Sequence, residues 1–294
     1  MTQKPFEFNY LVTGGTGQLG CCLESVLPLN QKKQFYFLDK SIFDITDRNQ
    51  IHAFIKHNHV DIIINCAAFT DVEKAESNPA LAHHINVEGV QNLLDLCHKH
   101  QLFLLHLSTD YVFNGQKKSP YTESDITNPI NQYGRSKNLG EQLILQSKMK
   151  ATIIRSSWIF SSFGVNFLKS IRTQIRQNKS LNVVANQFGN PTYGPDLARF
   201  ILSMIHQIPT LNHQIYHFVN TGSVTWYDFA KEIIKQLPSK TPVSLLAGHQ
   251  ENSKVKRPDY SVLDTTRIKK EFNLSPRHWK DALVECVSNI QYDV

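Results

Sequence analysis

The sequence predicts an α/β protein built on a doubly wound parallel sheet. Three observations predict it. Short β-branched and aromatic runs alternate with helix-length amphipathic stretches through the first half of the chain, as parallel strands joined by helices do. A glycine-rich loop separates the first strand from the first helix. The later strand exits carry small, hydroxyl and carboxyl residues, where sheets of this kind hold ligands.

Phe6 to Val12 reads as the first strand. It ends in Thr13-Gly14-Gly15-Thr16-Gly17-Gln18-Leu19-Gly20, and a helical pattern follows around Leu23, Val26 and Leu27. Strand, glycine loop and helix N-terminus together cradle a pyrophosphate through backbone N–H groups. The spacing is the G-x-x-G-x-x-G variant. An ordinary glycine-rich turn would carry the same residues, but a loop this close to the N-terminus favours a dinucleotide. Gln34 to Leu38 is the second strand and ends on Asp39-Lys40. An acid there binds the adenosine ribose and a base accepts a 2′-phosphate, so NADH and NADPH both stay open, with Lys40 tilting towards NADPH.

Asp47 is placed to cap a helix over Arg48 to His57. Val60 to Asn65 is a buried third strand, and the small residues of Cys66-Ala67-Ala68-Phe69-Thr70 let a ligand approach its exit. A long helix is expected from about Pro79 to His100. Phe103 to Leu107 is the fourth strand, with Ser108-Thr109-Asp110-Tyr111-Val112-Phe113 on its exit.

Asn131-Gln132-Tyr133-Gly134-Arg135-Ser136-Lys137 opens the next helix, expected to run to about Met149, with Pro129 just upstream. Tyr133 and Lys137 share one helical face. An ammonium near a phenol draws its pKa down from about 10, which builds a proton donor for a carbonyl under reduction. Tyr36 to Lys40 and Tyr227 to Lys231 repeat the spacing. The first runs off the end of a strand, where extended backbone does not bring its two residues together as a helical turn does. The second has no strand-end hydroxyl at the matching distance upstream, since Ser203 lies inside a predicted helix. Only Tyr133 and Lys137 have such a partner, Thr109.

In the second half, Ala151 to Arg155 is the fifth strand, and Asn182 to Ala185 and Gln214 to Val219 look like late sheet strands. A helix is expected near Pro195 to His206. Thr225 is placed to cap a helix through Gln236, and Ser275-Pro276 read as N-cap and first residue of a final helix to about Ile290. The expected division is a cofactor domain over 1–160 with about 181–221, and a smaller, discontinuous α/β substrate domain over about 161–180 and 222–294.

Composition narrows the function. The chain has 294 residues, 41% of them hydrophobic and 19% charged, enough for one large or two interlocked domains. The longest apolar runs are far too short to cross a bilayer, and the N-terminus has no signal-peptide core. The expectation is a soluble, cytoplasmic protein with no membrane partner. Five cysteines without a C-x-x-C pair argue against a disulfide framework, and the histidines show no metal-ligand spacing. The net charge of +6 is spread along the chain. It suits a polyanionic small ligand, and no nucleic-acid motif is present. The oligomeric state is left open, a homodimer included.

A strand-end hydroxyl with a Tyr/Lys pair on the next helix resembles the catalytic group of the short-chain dehydrogenase/reductases. The chain resembles their extended members, with a Rossmann-like cofactor domain, and is most similar to the dTDP-4-dehydrorhamnose reductase family. The likeness runs through Gly14–Gly20, Asn65–Glu76, Ser108–Phe113, Tyr133–Lys137, Arg155–Phe160, Asn186–Thr192, Thr225–Ala230 and Arg257–Asp264. The resemblance implies that Tyr133 protonates the sugar O4 while the nicotinamide delivers hydride, that Lys137 holds the nicotinamide ribose, and that Thr109 polarises the ketone. It places Gly14, Gly17, Gln18, Leu19, Gly20, Asp44, Ile45, Ala67, Ala68 and Thr70, together with Tyr133 and Lys137, along an NADPH or NADH cofactor. Asp110, Trp158 and Arg257 fall to a dTDP-sugar substrate. Related dehydratases carry Thr-Asp-Glu where this chain has Thr109-Asp110-Tyr111, so the resemblance favours reduction over water elimination. Lys254-Val255-Lys256-Arg257 either faces a pyrophosphate or is a solvated basic loop. Talose-type, dihydrostreptose-type or UDP-linked products, and a non-catalytic regulatory subunit, remain the alternatives.

Overall fold

The computed structural model describes residues 8–177, 179–205, 207, 211, 213–237, 243–248 and 255–291. Phe6 and Glu7 of the expected first strand, and Lys254 of the basic stretch, lie outside them. Apolar, β-branched runs form six strands: Tyr10–Thr13 (β1), Phe35–Leu38 (β2), Ile62–Asn65 (β3), Phe103–Thr109 (β4), Ala151–Ser156 (β5) and Gln214–His217 (β6). They make one sheet in the order β6-β5-β4-β3-β1-β2 with every pair parallel. Strands buried on both faces lose the usual alternation, as Ile62-Ile63-Ile64 shows, where no residue exceeds 2% exposure. Each such side chain stabilises the fold by about 2 kcal/mol on burial. The order reverses at β1, so a crevice opens between the carboxyl ends of β1 and β3.

Helices Gln18–Val26 (α1), Arg48–His57 (α2), Val72–Ser77 (α3), Pro79–His83 (α4), Gly89–His100 (α5) and Gln132–Gln146 (α6) follow the early strands. Asp47 caps α2, accepting from the backbone N–H groups of Asn49 and Gln50 as expected. The long helix expected over Pro79 to His100 is interrupted by a π-helical turn, His84–Glu88, which joins α4 to α5. One face of the sheet buries Leu23, Leu197 and Ile201, the other Ile51, Leu93 and Ile144.

The remaining helices are Phe167–Arg176 (α7), Gly194–Ile205 (α8), Trp226–Gln236 (α9), Thr266–Phe272 (α10) and Trp279–Gln291 (α11). A second apolar cluster joins Leu168 and Ile171 of α7, Phe229 and Ile233 of α9, and Leu283 and Val287 of α11. Two expectations are corrected here. The strand expected over Asn182 to Ala185 is Leu181–Val184; it pairs in parallel with Leu245–Gly248, apart from the main sheet, and packs in the second cluster. The last helix begins at Trp279, because the stretch before it is drawn into a bridge between His278 and Thr221. Ser275-Pro276 therefore do not start it. Among the described residues no helix is long and apolar enough to cross a membrane, and no His/Cys/Asp/Glu group could hold a metal ion.

Candidate active site

The strand exits open on a cleft of about 660 Å³. It is lined by Gly17, Gln18 and Leu19, by Cys66, Ala68 and Thr70 after β3, and by Ser108 to Tyr111. Tyr133 and Lys137 on α6, Ser156 to Ile159 from the end of β5 onward, Gly164 to Asn166, and Trp226 also line it. Gly14, Gly20, Asp39, Lys40, Asp44, Ile45 and Ala67 do not line it.

The glycine loop is shaped by close approach. Gly14 has φ +60°, and a Cβ there would sit 3.0 Å from Ala67 Cα; a Cβ on Gly20 would come within 2.3 Å of the Gly15 carbonyl oxygen. Only glycine leaves the backbone this near to α1, β3 and any ligand. Gly15 N donates to Leu38 O at 2.7 Å, so the exit of β2 lies beside the loop. Asp39 there accepts from the Ser41 amide and hydroxyl, which hold its carboxyl below the usual range, and Lys40 is exposed. Asp44 accepts from Thr46, while Ile45 is buried in the core and offers only its backbone. Gln18 donates from Nε2 to Ile159 O and Ser161 Oγ, which ties the loop to the chain after β5.

Strand β4 ends on Thr109, whose hydroxyl accepts from Tyr111 N at 3.2 Å and donates to Asp110 Oδ1 at 3.1 Å. Asn131 caps α6, accepting from Gly134 N at 2.8 Å. Gly134 then lets α6 rest on the turn after β4: a Cβ there would lie 2.1 Å from Tyr111 O. That contact brings the Tyr133 phenol to Thr109. Burial pushes the phenol up to about 12, and the hydrogen bond with Thr109 offsets only part of this. Lys137 is 2% exposed and donates from Nζ to Leu107 O at 2.7 Å, with His106 Nε2 3.1 Å away. Burial draws its pKa down to about 8, against the opposing pull of Glu141. The expectation that Lys137 depresses Tyr133 is therefore corrected: here burial of the phenol wins, because Nζ is bonded to β4 rather than to the phenol.

Asp110 is 2% exposed, and burial pushes its carboxyl up to about 7, with Oδ2 lacking a hydrogen-bond partner and Ser261 and Thr109 compensating in part. Trp158 has φ +46° and stacks on Trp226, with centroids 3.5 Å apart and planes within 11°. A non-glycine residue held there costs on the order of 1–3 kcal/mol, an outlay that clusters at functional sites. Arg257 stands outside the cleft. It lines a neighbouring cavity of about 350 Å³ with Trp226 and Phe167, and its Nη2 meets Glu73 Oε1 at 2.7 Å.

Four contributors were given no role from the sequence: Trp226, Asn65, His106 and Asn86. Asn86, in the π-helical turn, accepts from Phe69 N and donates to Phe69 O and Ser136 Oγ, clamping the β3 exit to α6. The one signal available was a polar residue inside an apolar strand, which His106 is.

A glycine loop at the switch point, with Tyr, Lys and Thr converging at the next exit, defines an oxidoreductase of the short-chain dehydrogenase/reductase class. A family model described as RmlD substrate binding domain matches residues 8–292, and the chain belongs to that family. It is 38% identical over 282 residues to a dTDP-4-dehydrorhamnose reductase of Aggregatibacter actinomycetemcomitans, covering 93% of this chain and 96% of that one. It is 34% identical to a dTDP-4-keto-6-deoxy-D-glucose reductase of Streptomyces niveus, covering 97% and 98%. The crystal structure of a dTDP-4-dehydrorhamnose reductase from Bacillus anthracis in complex with NADP superimposes with a TM-score of 0.89 at 33% identity, covering 97% of this chain and 100% of that one.

Proposed function

We propose that this chain reduces the 4-keto group of dTDP-4-dehydro-β-L-rhamnose with NADPH to give dTDP-L-rhamnose. The observation that carries the proposal is the convergence of Thr109, Tyr133 and Lys137 in one cleft with the glycine loop. The cofactor fits the residues present: glycines at 14, 15, 17 and 20 keep the loop backbone open to a pyrophosphate, and Lys40 stands exposed beside Asp39 for a 2′-phosphate. Asp44, Ile45, Ala67, Ala68 and Thr70 would hold the rest of the cofactor.

Once bound, the reduced nicotinamide supplies a hydride to the sugar C4. Thr109 holds the ketone oxygen where negative charge develops. Tyr133 gives its proton to O4, and Lys137 stabilises the phenolate left behind while holding the nicotinamide ribose. The buried Tyr133 phenol keeps its proton until an alkoxide, a far stronger base, forms beside it. Asp110 and Trp158 hold the sugar, and Arg257 meets the diphosphate. Tyr111 stands where dehydratases carry their Glu, so no base is in place to remove the C5 proton.

In the same proposal a cofactor unit, 1–160 with about 181–221, faces a substrate unit, about 161–180 with 222–294. The packing amends this: Leu181–Val184 joins the second cluster and α10 the first. The protein is assigned to the cytoplasm, and a homodimer is the assembly that light scattering should test.

The deciding experiment mixes purified protein with NADPH and dTDP-4-dehydrorhamnose, follows NADPH absorbance and identifies the product by NMR. Turnover with a different 4-keto dTDP-sugar alone would favour a second reading, for which the Streptomyces niveus relative speaks. Cofactor binding without turnover of any such sugar would support a regulatory role.

A further inference from the structure

A buried polar chain runs through the sheet beneath the Tyr133–Lys137 pair. Ala67 N donates to Thr13 Oγ1 at 3.2 Å, and Thr13 Oγ1 donates to Asn65 Oδ1 at 2.6 Å. Asn65 Nδ2 then lies 3.0 Å from His106 Nδ1, and His106 Nε2 lies 3.1 Å from Lys137 Nζ. Thr13, Asn65, His106 and Lys137 come from β1, β3, β4 and α6, and none exceeds 2% exposure. Polar groups this deep are costly unless each is partnered, and apolar side chains fill the neighbouring strand positions. Of these four, only Lys137 reaches the cleft.

We propose that His106 is a positioning residue for the reaction: held by Asn65 and Thr13, its imidazole fixes the Lys137 amino group behind Tyr133. The inference rests on the role given to Lys137 above. Leu107 O supplies one point of attachment for Nζ and His106 the second, and two points set a direction that one does not.

The chain also has a polarity. Burial, with Lys137 beside it, pushes His106 well below the usual histidine range, so the ring is neutral, with one N–H and one lone pair. With Asn65 Nδ2 towards the ring, Nδ1 accepts, Nε2 carries the proton, and the partner it suits is an uncharged amine. With the Asn65 amide turned over, Oδ1 accepts from Nδ1–H and the Nε2 lone pair receives a hydrogen from the Lys137 ammonium. Thr13 Oγ1 then accepts from both Ala67 and Asn65, and its own hydrogen loses the Asn65 acceptor. Thr13 thus biases the chain towards the amine, and protonating Lys137 turns Asn65 over. The other titratable groups facing Nζ, Glu141 on α6 and Cys66 at the β3 exit, both favour the ammonium. Glu141 is itself bonded to Arg155.

Nitrogen-15 NMR of histidine-labelled, ligand-free protein tests this without turnover, so its failure is separate from failure of the proposed reaction. The expected result is a neutral His106 ring at neutral pH whose proton moves from Nε2 to Nδ1 as Lys137 is protonated, and a fixed tautomer in Lys137→Met. A charged ring at neutral pH, or a tautomer change that persists in Lys137→Met, overturns the proposal. In kinetics, His106→Leu should lower kcat about 100-fold, the usual consequence of a misplaced catalytic group. His106→Gln, which keeps a donor and an acceptor, should recover most of that. In a Lys137→Met background, His106→Leu should leave NADPH affinity unchanged; an equal loss in both backgrounds means a merely structural role. Because His106→Leu also strands Asn65 and can destabilise the fold, Thr13→Val serves as the second variant. It frees the amide to turn, and the alkaline limb of the kcat/KM profile should move to higher pH; an unmoved limb counts against the chain.

Discussion

The two walls of the cleft are built on different terms. One is a set of short contiguous stretches placed by the strands and by the helix packed on them: Gly17 to Leu19 after β1, Ala68 and Thr70 after β3, Thr109 and Asp110 where β4 ends, and Tyr133 and Lys137 on α6. The other brings Trp158 and Trp226 together from distant parts of the chain, with Arg257 in the adjoining cavity that Trp226 also lines. A tryptophan stack, the reach of Gln18 to Ile159 and Ser161, and an ion pair to Glu73 hold it together. The proposed chemistry sits on the wall whose geometry the backbone sets. The proposed sugar and diphosphate contacts fall mostly on the wall that side chains set.

That division predicts that substitutions on the first wall lower kcat and those on the second raise the sugar KM. The largest effect belongs to Tyr133→Phe, which should cut kcat by about 1,000-fold, within the usual range for a lost general acid, with NADPH affinity unchanged in a fluorescence titration. Gly134→Ala comes next. Its methyl group would meet Tyr111 O at 2.1 Å, so α6 must lift, lowering kcat about 100-fold and stability by about 1–3 kcal/mol in urea unfolding. A fully active Gly134→Ala would break the claim that a backbone contact sets this wall. Trp158→Ala should raise the sugar KM about tenfold, worth roughly 1.4 kcal/mol, with kcat nearly kept; loss in kcat alone would move Trp158 to the other wall.

A pH series sharpens the contrast further. With the Lys137 ammonium as the working form, kcat/KM should fall as pH rises through about 8. The contribution of Lys137 to stability, read as the difference from Lys137→Met, should move the other way. Between about 8 and the ordinary lysine value of 10.5 the unfolded chain binds more protons than the folded one, so this group's penalty is relieved as pH rises. Parallel loss of activity and of melting temperature would point to unfolding instead. The smallest effect is Arg257→Ala, a few-fold rise in KM with less than about 1 kcal/mol of stability, since its partner Glu73 is half exposed.

The same contrast governs how much was legible in the sequence. The glycine loop, the caps at Asp47 and Thr225 and the Tyr133 helix are signals contained within a few residues, and each appears where expected. The strand at Leu181–Val184 was readable as a strand but not as one that pairs with Leu245–Gly248, because a local pattern does not name its partner. Ser275-Pro276 is a sound helix start that loses to the bridge between His278 and Thr221. Trp226 joins the cleft, and Arg257 the cavity beside it, only through contacts across the fold, and the role of His106 emerges only once β1, β3, β4 and α6 stand side by side.

The π-helical turn at His84–Glu88 has a consequence for how this chain tolerates change. Such a turn is an α-helix carrying one extra residue, and each residue rotates a helix by about 100°. Removing one of the residues beside Asn86 would restore a smoother helix and swing Asn86 away from Phe69 and Ser136, unfastening the β3 exit from α6. What is specified here is a count as much as a side chain: a one-residue deletion on a helix outside the cleft should act on the active site as a substitution within it does.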